Sequence, residues 1–426
     1  MGRMTFSPLT FLITGFSWLL LSSLLGLAIL VGLVRGTPLP PWLQLVHVHA
    51  ALVGGVAQMI AGGFLSFIPP LLMTGHKRPH SHPVLFLALN LGATGMLVGF
   101  GLHQFQIVGA AGLLVIGAFL SIARDAWSQA RQSLSTPPLN FWYYVVALIA
   151  LVAGLACGET MAFGLSAQSY AYVRLAHIHL NLLGFVTLAI IGTMHNLLPT
   201  LLNTPLYSHK LARIVLILMP LGVALLIGGF MNSSIPIELA AGSILLAGVI
   251  LYAVNLFRTW LTSPRTGTAA SDHLLTGTFF LLLSIVLGIL VGANSLSNPP
   301  LMPFGTLHLI AYTHIALVGF VFQTIWGVLS HMIPVSLSVS REPSNKKRGP
   351  YLDRLMQIMN RWRSLQIIGL SMGTLGLALL ATLTWSVPLS SFYVQLALWN
   401  SFGLLLGSLA FFVARLTQVF NTYPEE

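Results

Sequence analysis

Three histidines in this 426-residue sequence head the same pattern, H-x4-G-x7-G-x6-P. It runs through His49, Gly54, Gly62 and Pro69, through His179, Gly184, Gly192 and Pro199, and through His314, Gly319, Gly327 and Pro334. With 40 glycines and 23 prolines in the chain, two glycines and a proline fall at set offsets after a histidine about once in 2,100 trials, so three copies mark an internal repeat. Two residues before each copy stands a second polar ring: His47, His177 and Tyr312. A neutral imidazole in an apolar segment must satisfy one donor and one acceptor, or carry a metal on its bare nitrogen. One such histidine is read equally well as a structural hydrogen bonder, whereas five at matching depth point to haem or metal ligation. Nitrogen ligands in glycine-lined, phenylalanine-rich surroundings suit a flat porphyrin better than a lone hard cation.

The elements that must position these rings are membrane helices. The chain is 56% apolar and 6% charged, against roughly 25% charged in a soluble domain. Twelve apolar stretches are expected to be helical, at about 10–34, 43–72, 83–101, 105–123, 141–164, 171–202, 209–230, 236–259, 272–293, 303–339, 363–386 and 391–417. At about 22 residues each they fill about 264 positions and leave no room for a water-soluble domain. The expected fold is therefore all-α: a polytopic membrane protein, one membrane domain over 1–426, with twelve transmembrane helices in three pseudo-symmetric four-helix repeats near 1–135, 136–265 and 266–426. This excludes a soluble enzyme core and a DNA-binding module, and no phosphate-cradling glycine loop is present. Membrane lipid is the expected surrounding, with neither nucleic acid nor nucleotide as a partner. The single cysteine, Cys157, excludes disulfides, cysteine-rich zinc sites, iron-sulfur clusters and c-type haem attachment. The run from Phe11 to Val34 is longer than the apolar region of a signal peptide and reads as the first helix.

Charge supports the count of twelve. With the N-terminus on one side, the connectors of that side hold Arg3, Lys77, Arg78, Arg124, Arg131, Lys210, Arg213, Arg258, Arg265, Arg341, Lys346, Lys347, Arg348, Arg354, Arg361, Arg363 and Arg415, and the other side only Arg35 and Arg174. That is 17 basic residues against 2, which places both termini in the cytoplasm and the protein in the inner (cytoplasmic) membrane. In the long basic connector from Ser340 to Ser364, Leu352, Leu355, Met356 and Met359 follow helical spacing, as in a short helix on the anionic membrane face. A solvated basic loop is the plainer reading.

The twenty residues from repeat histidine to proline span about 30 Å, the hydrocarbon thickness, and set the histidines near the non-cytoplasmic side. Residues two apart on a helix point about 200° apart. Each repeat helix thus offers one ring to each neighbour, and a threefold arrangement makes three inter-helix pockets.

On these residues the second, sixth and tenth helices resemble the haem- and metal-bearing helices of subunit I of the haem-copper oxidase and nitric oxide reductase superfamily, whose members also have twelve helices in three pseudo-symmetric quartets. Tyr312-Thr-His314, followed by Gly327, His331 and Pro334, is similar to that family's H-x-H helix, with Tyr312 in place of the first histidine. The resemblance implies haem b, one or two copies, the low-spin haem between His47 and His314. It puts His179 at the position of a copper-ligand histidine, leaves copper as a second candidate metal, and leaves the pocket between His49 and His177 without a cofactor. The family's adjacent histidine pair at the seventh helix has no counterpart here: only His209 stands there, followed by Lys210. The chain also resembles the NnrS family, a divergent haem- and copper-containing branch connected with nitric oxide.

Other residues carry weaker signals. Glu159, the carboxylate deep in an apolar span, and His195 and His331, about 24 Å beyond the repeat histidines, are candidates for a proton path, with capping or local pairing as the alternative. Gln58 and Gln323 share the ninth place after a repeat histidine and read as bundle-stabilising hydrogen bonders. His76, His80 and His82 cluster in a basic loop, where solvation explains them as well as metal capture does.

Three functions fit this sequence. One is a haem-bearing redox protein that transfers electrons or handles a diatomic gas such as oxygen or nitric oxide, supplied by a cytochrome or quinol donor. The second is a non-enzymatic haem, copper or nitric oxide binder. The third is a proton-coupled transporter, whose usual repeats number two rather than three.

Overall fold

Apolar runs of this length satisfy their backbone polar groups in lipid only as helices or closed barrels, and the periodicity here selects helices. The computed structural model describes residues 7–37, 39–74, 82–264, 267–302, 311–384 and 386–425, with no strand among them. Twelve helices among the described residues are long and apolar enough to cross a membrane: α1 Pro8–Val34, α2 Trp42–Leu71, α3 Pro83–Gly101, α4 Phe105–Gln132, α5 Leu139–Ala162, α6 Ala167–Leu202, α7 His209–Met231, α8 Ile235–Leu261, α9 Ala269–Asn294, α10 Ala311–Arg341, α11 Arg363–Leu383 and α12 Phe392–Phe420. The expected spans recur within a few residues, save that α4 continues past the expected end at 123 through Arg124, Asp125 and Arg131 to Gln132. That extension is polar, and hydropathy alone gives it no weight. Arg3, His76, Lys77, Arg78, His80 and Arg265, the side chain of His82 and the expected first turns of the tenth helix lie outside the described residues.

The chain divides into two compact units, Met1–Thr193 with Val223–Ser234, and Met194–Gly222 with Ile235–Glu426. In the first, α1 packs along α2, α3 along α4, and α5 along α6. Trp18 of α1 donates its indole N–H to Asn90 Oδ1 of α3 at 3.0 Å. In the second, α8 packs on α9, α9 on α10, and α11 on α12.

The three repeat helices share one backbone irregularity. Directly after each repeat histidine the chain widens into a π-helical stretch, Ala50–Ala57, Leu180–Thr187 and Ile315–Phe322, before returning to α-helix. π segments are rare and concentrate at functional sites. The repeat glycines set how each helix meets the one before it. A side chain at Gly54 would strike Trp18 of α1, one at Gly184 would strike Ala150 of α5, and one at Gly319 would strike Phe280 of α9. The second glycines, Gly62, Gly192 and Gly327, meet Phe11, Tyr143 and Leu274 of the same three helices. Small residues at these six points permit close backbone approach where lipid supplies no hydrophobic driving force.

The basic connector does form a helix, Asn345–Asn360. Its apolar stripe divides: Leu355 and Met359 are buried with Tyr351 against protein, while Leu352 and Met356 remain half-buried. The Tyr351 hydroxyl donates to Thr422 O at 2.8 Å, fastening this helix to the residues after α12, and Arg341 Nη1 at the end of α10 donates to Phe420 O at 2.9 Å.

Candidate haem-ligand site

The first unit holds four of the expected ligand rings, and all four bind their Nδ1 to a backbone carbonyl. His47 reaches Ser22 O of α1 at 2.8 Å, and His177 reaches Gly154 O of α5 at 2.8 Å. His49 and His179 reach the carbonyls one turn back on their own helices, Leu45 O and Leu175 O, each at 2.8 Å. A carbonyl only accepts, so in the neutral ring the proton sits on Nδ1 and the lone pair on Nε2. This is the second-neighbour support by which ligating histidines are oriented and made more basic.

The two kinds of position point differently, as the spacing of two residues requires. The rings two residues ahead of the pattern turn to the preceding helix, where each lies over a glycine. A Cβ at Gly26 of α1 would sit 2.7 Å from His47 Cε1, and one at Gly158 of α5 would sit 3.1 Å from His177 Cε1. In the second unit a Cβ at Gly288 of α9 would sit 3.2 Å from the Tyr312 hydroxyl. Two of the pattern histidines, His49 and His179, turn to the following helix. His49 stacks obliquely on Phe100 of α3 at 4.6 Å, and His179 on Phe230 of α7 at 4.9 Å. His49 and His177 lie within electrostatic reach of one another. Ser22 adds a second hold on His47, its Oγ lying 2.9 Å from His47 Nδ1 and donating to His47 O at 2.9 Å. Asn181 likewise donates to His177 O at 2.7 Å.

The residues proposed for a proton path fall in separate surroundings. In the first unit Glu159 lies against Gly109 and Gly112 of α4, where a Cβ at either glycine would crowd its carboxylate, and its Oε2 is buried with no hydrogen-bond partner among the described residues. In the second, His195 is 5% exposed and meets Tyr252 of α8 edge to face at 5.5 Å, with His209 within electrostatic range. His331 is half-buried. The two glutamines also part company. Each is fully buried and opens the α-helical stretch that follows a π segment. Gln323 accepts from His273 Nδ1 at 2.7 Å and donates to Ser371 at 2.9 Å, whereas both amide atoms of Gln58 lack a hydrogen-bond partner among the described residues.

Sequence reasoning passed over Ser22, Gly26, Gly154, Gly158 and His273. A serine or glycine in an apolar run carries no signal of its own, because its role depends on which helix it meets. His273 was legible only as a histidine in the first turn of a span. Among the described residues, no three of His, Cys, Asp and Glu gather as a metal ion held by protein alone would need.

The family model for cytochrome c and quinol oxidase polypeptide I matches residues 139–302. Over that stretch, from α5 to α9, the chain resembles the oxidase polypeptide. The matched stretch contains His177, His179 and Glu159, together with the carbonyl of Gly154 that holds His177. An uncharacterized protein of Aquifex aeolicus (strain VF5) is 30% identical over 158 residues, which is 36% of this chain and 40% of that protein. The protein is thus a multi-pass membrane chain, free of strands among its described residues, that is similar to oxidase polypeptide I over residues 139–302.

Proposed function

We propose that this chain is a haem-binding membrane redox protein. The observation that carries the reading is the shared state of His47, His49, His177 and His179: each Nδ1 is engaged by a backbone carbonyl, and each Nε2 is left as a lone-pair donor. The donor set fits haem. Imidazole is a common protein ligand of haem iron, and one or two such side chains would hold it, so the cluster of three or more protein groups that a lone ion demands is unnecessary. The surroundings fit as well, with glycines at Gly26 and Gly158 where a side chain would displace the rings. Taken one by one, the resemblance gives His47 and His314 each the register of a low-spin haem ligand, His179 that of a copper-ligand histidine and Tyr312 that of the high-spin haem ligand. When bound, haem supplies one-electron redox chemistry and, at an open face, affinity for diatomic gases.

The chain's own residues do the rest. The Ser22 and Gly154 carbonyls fix the tautomer of His47 and His177, and Phe100 and Phe230 wall the pattern histidines with apolar surface. Electrons come from a cytochrome or quinol partner, because the single cysteine leaves no means of attaching a c-type haem. The test is an optical spectrum of the purified protein, oxidised and dithionite-reduced, with a pyridine haemochrome assay of haem per chain. A narrow reduced α-band with at least one haem per chain is expected. Protein that stays free of haem after expression with haem precursor would refute the reading.

A second reading, a haem or nitric oxide binder without turnover, is favoured by the lack of a gathered metal-ligand group among the described residues. Copper is the metal it leaves without a protein cage. Slow gas release with no donor-dependent consumption of oxygen or nitric oxide is what distinguishes it.

A further inference from the structure

The hairpin of α11 and α12 carries an open surface depression of about 530 Å³ lined by Arg361, Trp362, Leu365, Phe411, Arg415 and Gln418, together with Ala414. Two arginines share this space, and no carboxylate lines it. Arg415 is only 7% exposed, although it carries a full charge. Its Nη1 donates to Ile358 O at 3.1 Å and its guanidinium lies 4.4 Å from the centre of the Phe411 ring, contacts that orient the group without neutralising it. Three carboxylates near this end of the second unit are engaged elsewhere: Arg354 holds Glu425, Arg363 holds Asp272 at 2.9 Å, and Glu342 accepts from the Ser344 backbone; Asp353, on the connector helix, is exposed and does not line the space. A buried cation beside a second cation is costly unless an anion completes the set.

The depression also lies at the start of α11. That 21-residue helix has no acidic residue in its first turn, and its N-cap residue, Trp362, makes no side-chain capping hydrogen bond. The Leu365 and Gln366 N–H groups donate to Trp362 O, at 3.1 and 3.3 Å, and the positive end of the helix dipole reinforces the two guanidiniums as an anion site. The remaining walls are apolar or interfacial. Leu365 is 60% exposed and Trp362 56% exposed, on the outer side of a membrane span where lipid is the neighbour.

We propose that this depression binds an anionic phospholipid, its phosphodiester headgroup held by Arg361, Arg415 and the first turn of α11, and its acyl chain lying along Leu365 and Phe411. Basic pockets at the ends of membrane helices recognise lipids in this way. A bare phosphate satisfies the charge and leaves the exposed leucine and tryptophan uncovered, whereas a zwitterionic lipid covers the apolar wall and brings no net charge.

The test uses the purified full-length protein in dodecyl maltoside, with native mass spectrometry counting bound lipid as dioleoyl phosphatidylglycerol or dioleoyl phosphatidylcholine is added. Phosphatidylglycerol is expected to be retained at concentrations where phosphatidylcholine is not. Arg361→Gln and Arg415→Gln are each expected to weaken it about fivefold, the equivalent of about 1 kcal/mol per basic residue at a membrane surface. Leu365→Asn is expected to weaken retention of the lipid without changing its preference for the anionic headgroup. If Arg415→Gln loses its hold on Ile358 and fails to fold, Arg361→Gln remains decisive, since the Arg361 side chain is exposed. Equal retention of the two lipids, or unchanged binding in Arg361→Gln, overturns the proposal. Displacement of phosphatidylglycerol by an equal concentration of inorganic phosphate overturns the lipid assignment.

Discussion

Gly26→Ala tests the ligand assignment without touching a ligand. The methyl group would lie 2.7 Å from His47 Cε1 and 3.2 Å from each ring nitrogen. Ordinary contact begins near 3.4 Å, so the ring retreats by about 0.7 Å. The Nδ1 to Ser22 O hydrogen bond, now 2.8 Å, then opens to about 3.5 Å and is lost as an orienting contact. The lost bond is worth about 1 kcal/mol of stability, and loss of such support to a ligating histidine lowers metal affinity about 10- to 100-fold. Gly158→Ala, facing His177 at 3.1 Å, demands only about 0.3 Å and should act in the same sense but more weakly. Gly117→Ala serves as the control, because nothing lies within 4 Å of its added methyl. The assay is haem per chain and the amplitude of the reduced α-band for the three variants at matched protein concentration. The expected order of loss is Gly26, then Gly158, then Gly117 with none. Wild-type haem content and spectrum in Gly26→Ala, with intact folding, would refute the role given to His47.

Three further outcomes follow from the same contacts. His273→Leu strands Gln323 Oε1 in a fully buried site, which should cost about 1–3 kcal/mol of stability in thermal unfolding while leaving the haem spectrum unchanged, and pairing it with Gln323→Leu should recover part of the loss. Tyr312→Phe removes the hydroxyl that faces Gly288 and should abolish any high-spin ferric signal while preserving the low-spin α-band; loss of both bands would contradict the separation of roles. A reporter fused after Glu426 should be active in the cytoplasm alone, given 17 basic residues on that side against 2, and activity outside it would reverse the topology.

What the sequence revealed and what it hid divide along a physical line. Helix spans are long, one-dimensional features, and hydropathy with charge alternation located twelve of them because bilayer thickness fixes their length. The repeat was legible because three copies share a register, and its glycines do sit at the helix crossings. The π stretches were invisible: their residues, such as Leu180 to Thr187, have ordinary apolar composition, and the widening arises from how the helix is packed rather than from propensity. The end of α4 was missed because charged residues there continue a helix that lipid does not require. Gln58 and Gln323, alike in register, differ in what lies opposite: Gln323 finds His273 and Ser371, and among the described residues no comparable pair meets Gln58.

The anchoring carbonyls also explain why two rings per helix need not be equivalent. His49 and His179 donate to carbonyls of their own helices, so each ring keeps its direction however neighbouring helices shift. His47 and His177 donate across a helix boundary, to α1 and α5, and their directions hold only while those helix pairs stay in contact at the repeat glycines. Anything that separates α1 from α2 therefore releases His47 and leaves His49 in place. Substitutions of increasing size at Gly54, which meets Trp18 of α1, should accordingly weaken the contribution of His47 before that of His49. Parallel loss of both contributions in such a series would show that the pair is held by a common support rather than by separate carbonyls.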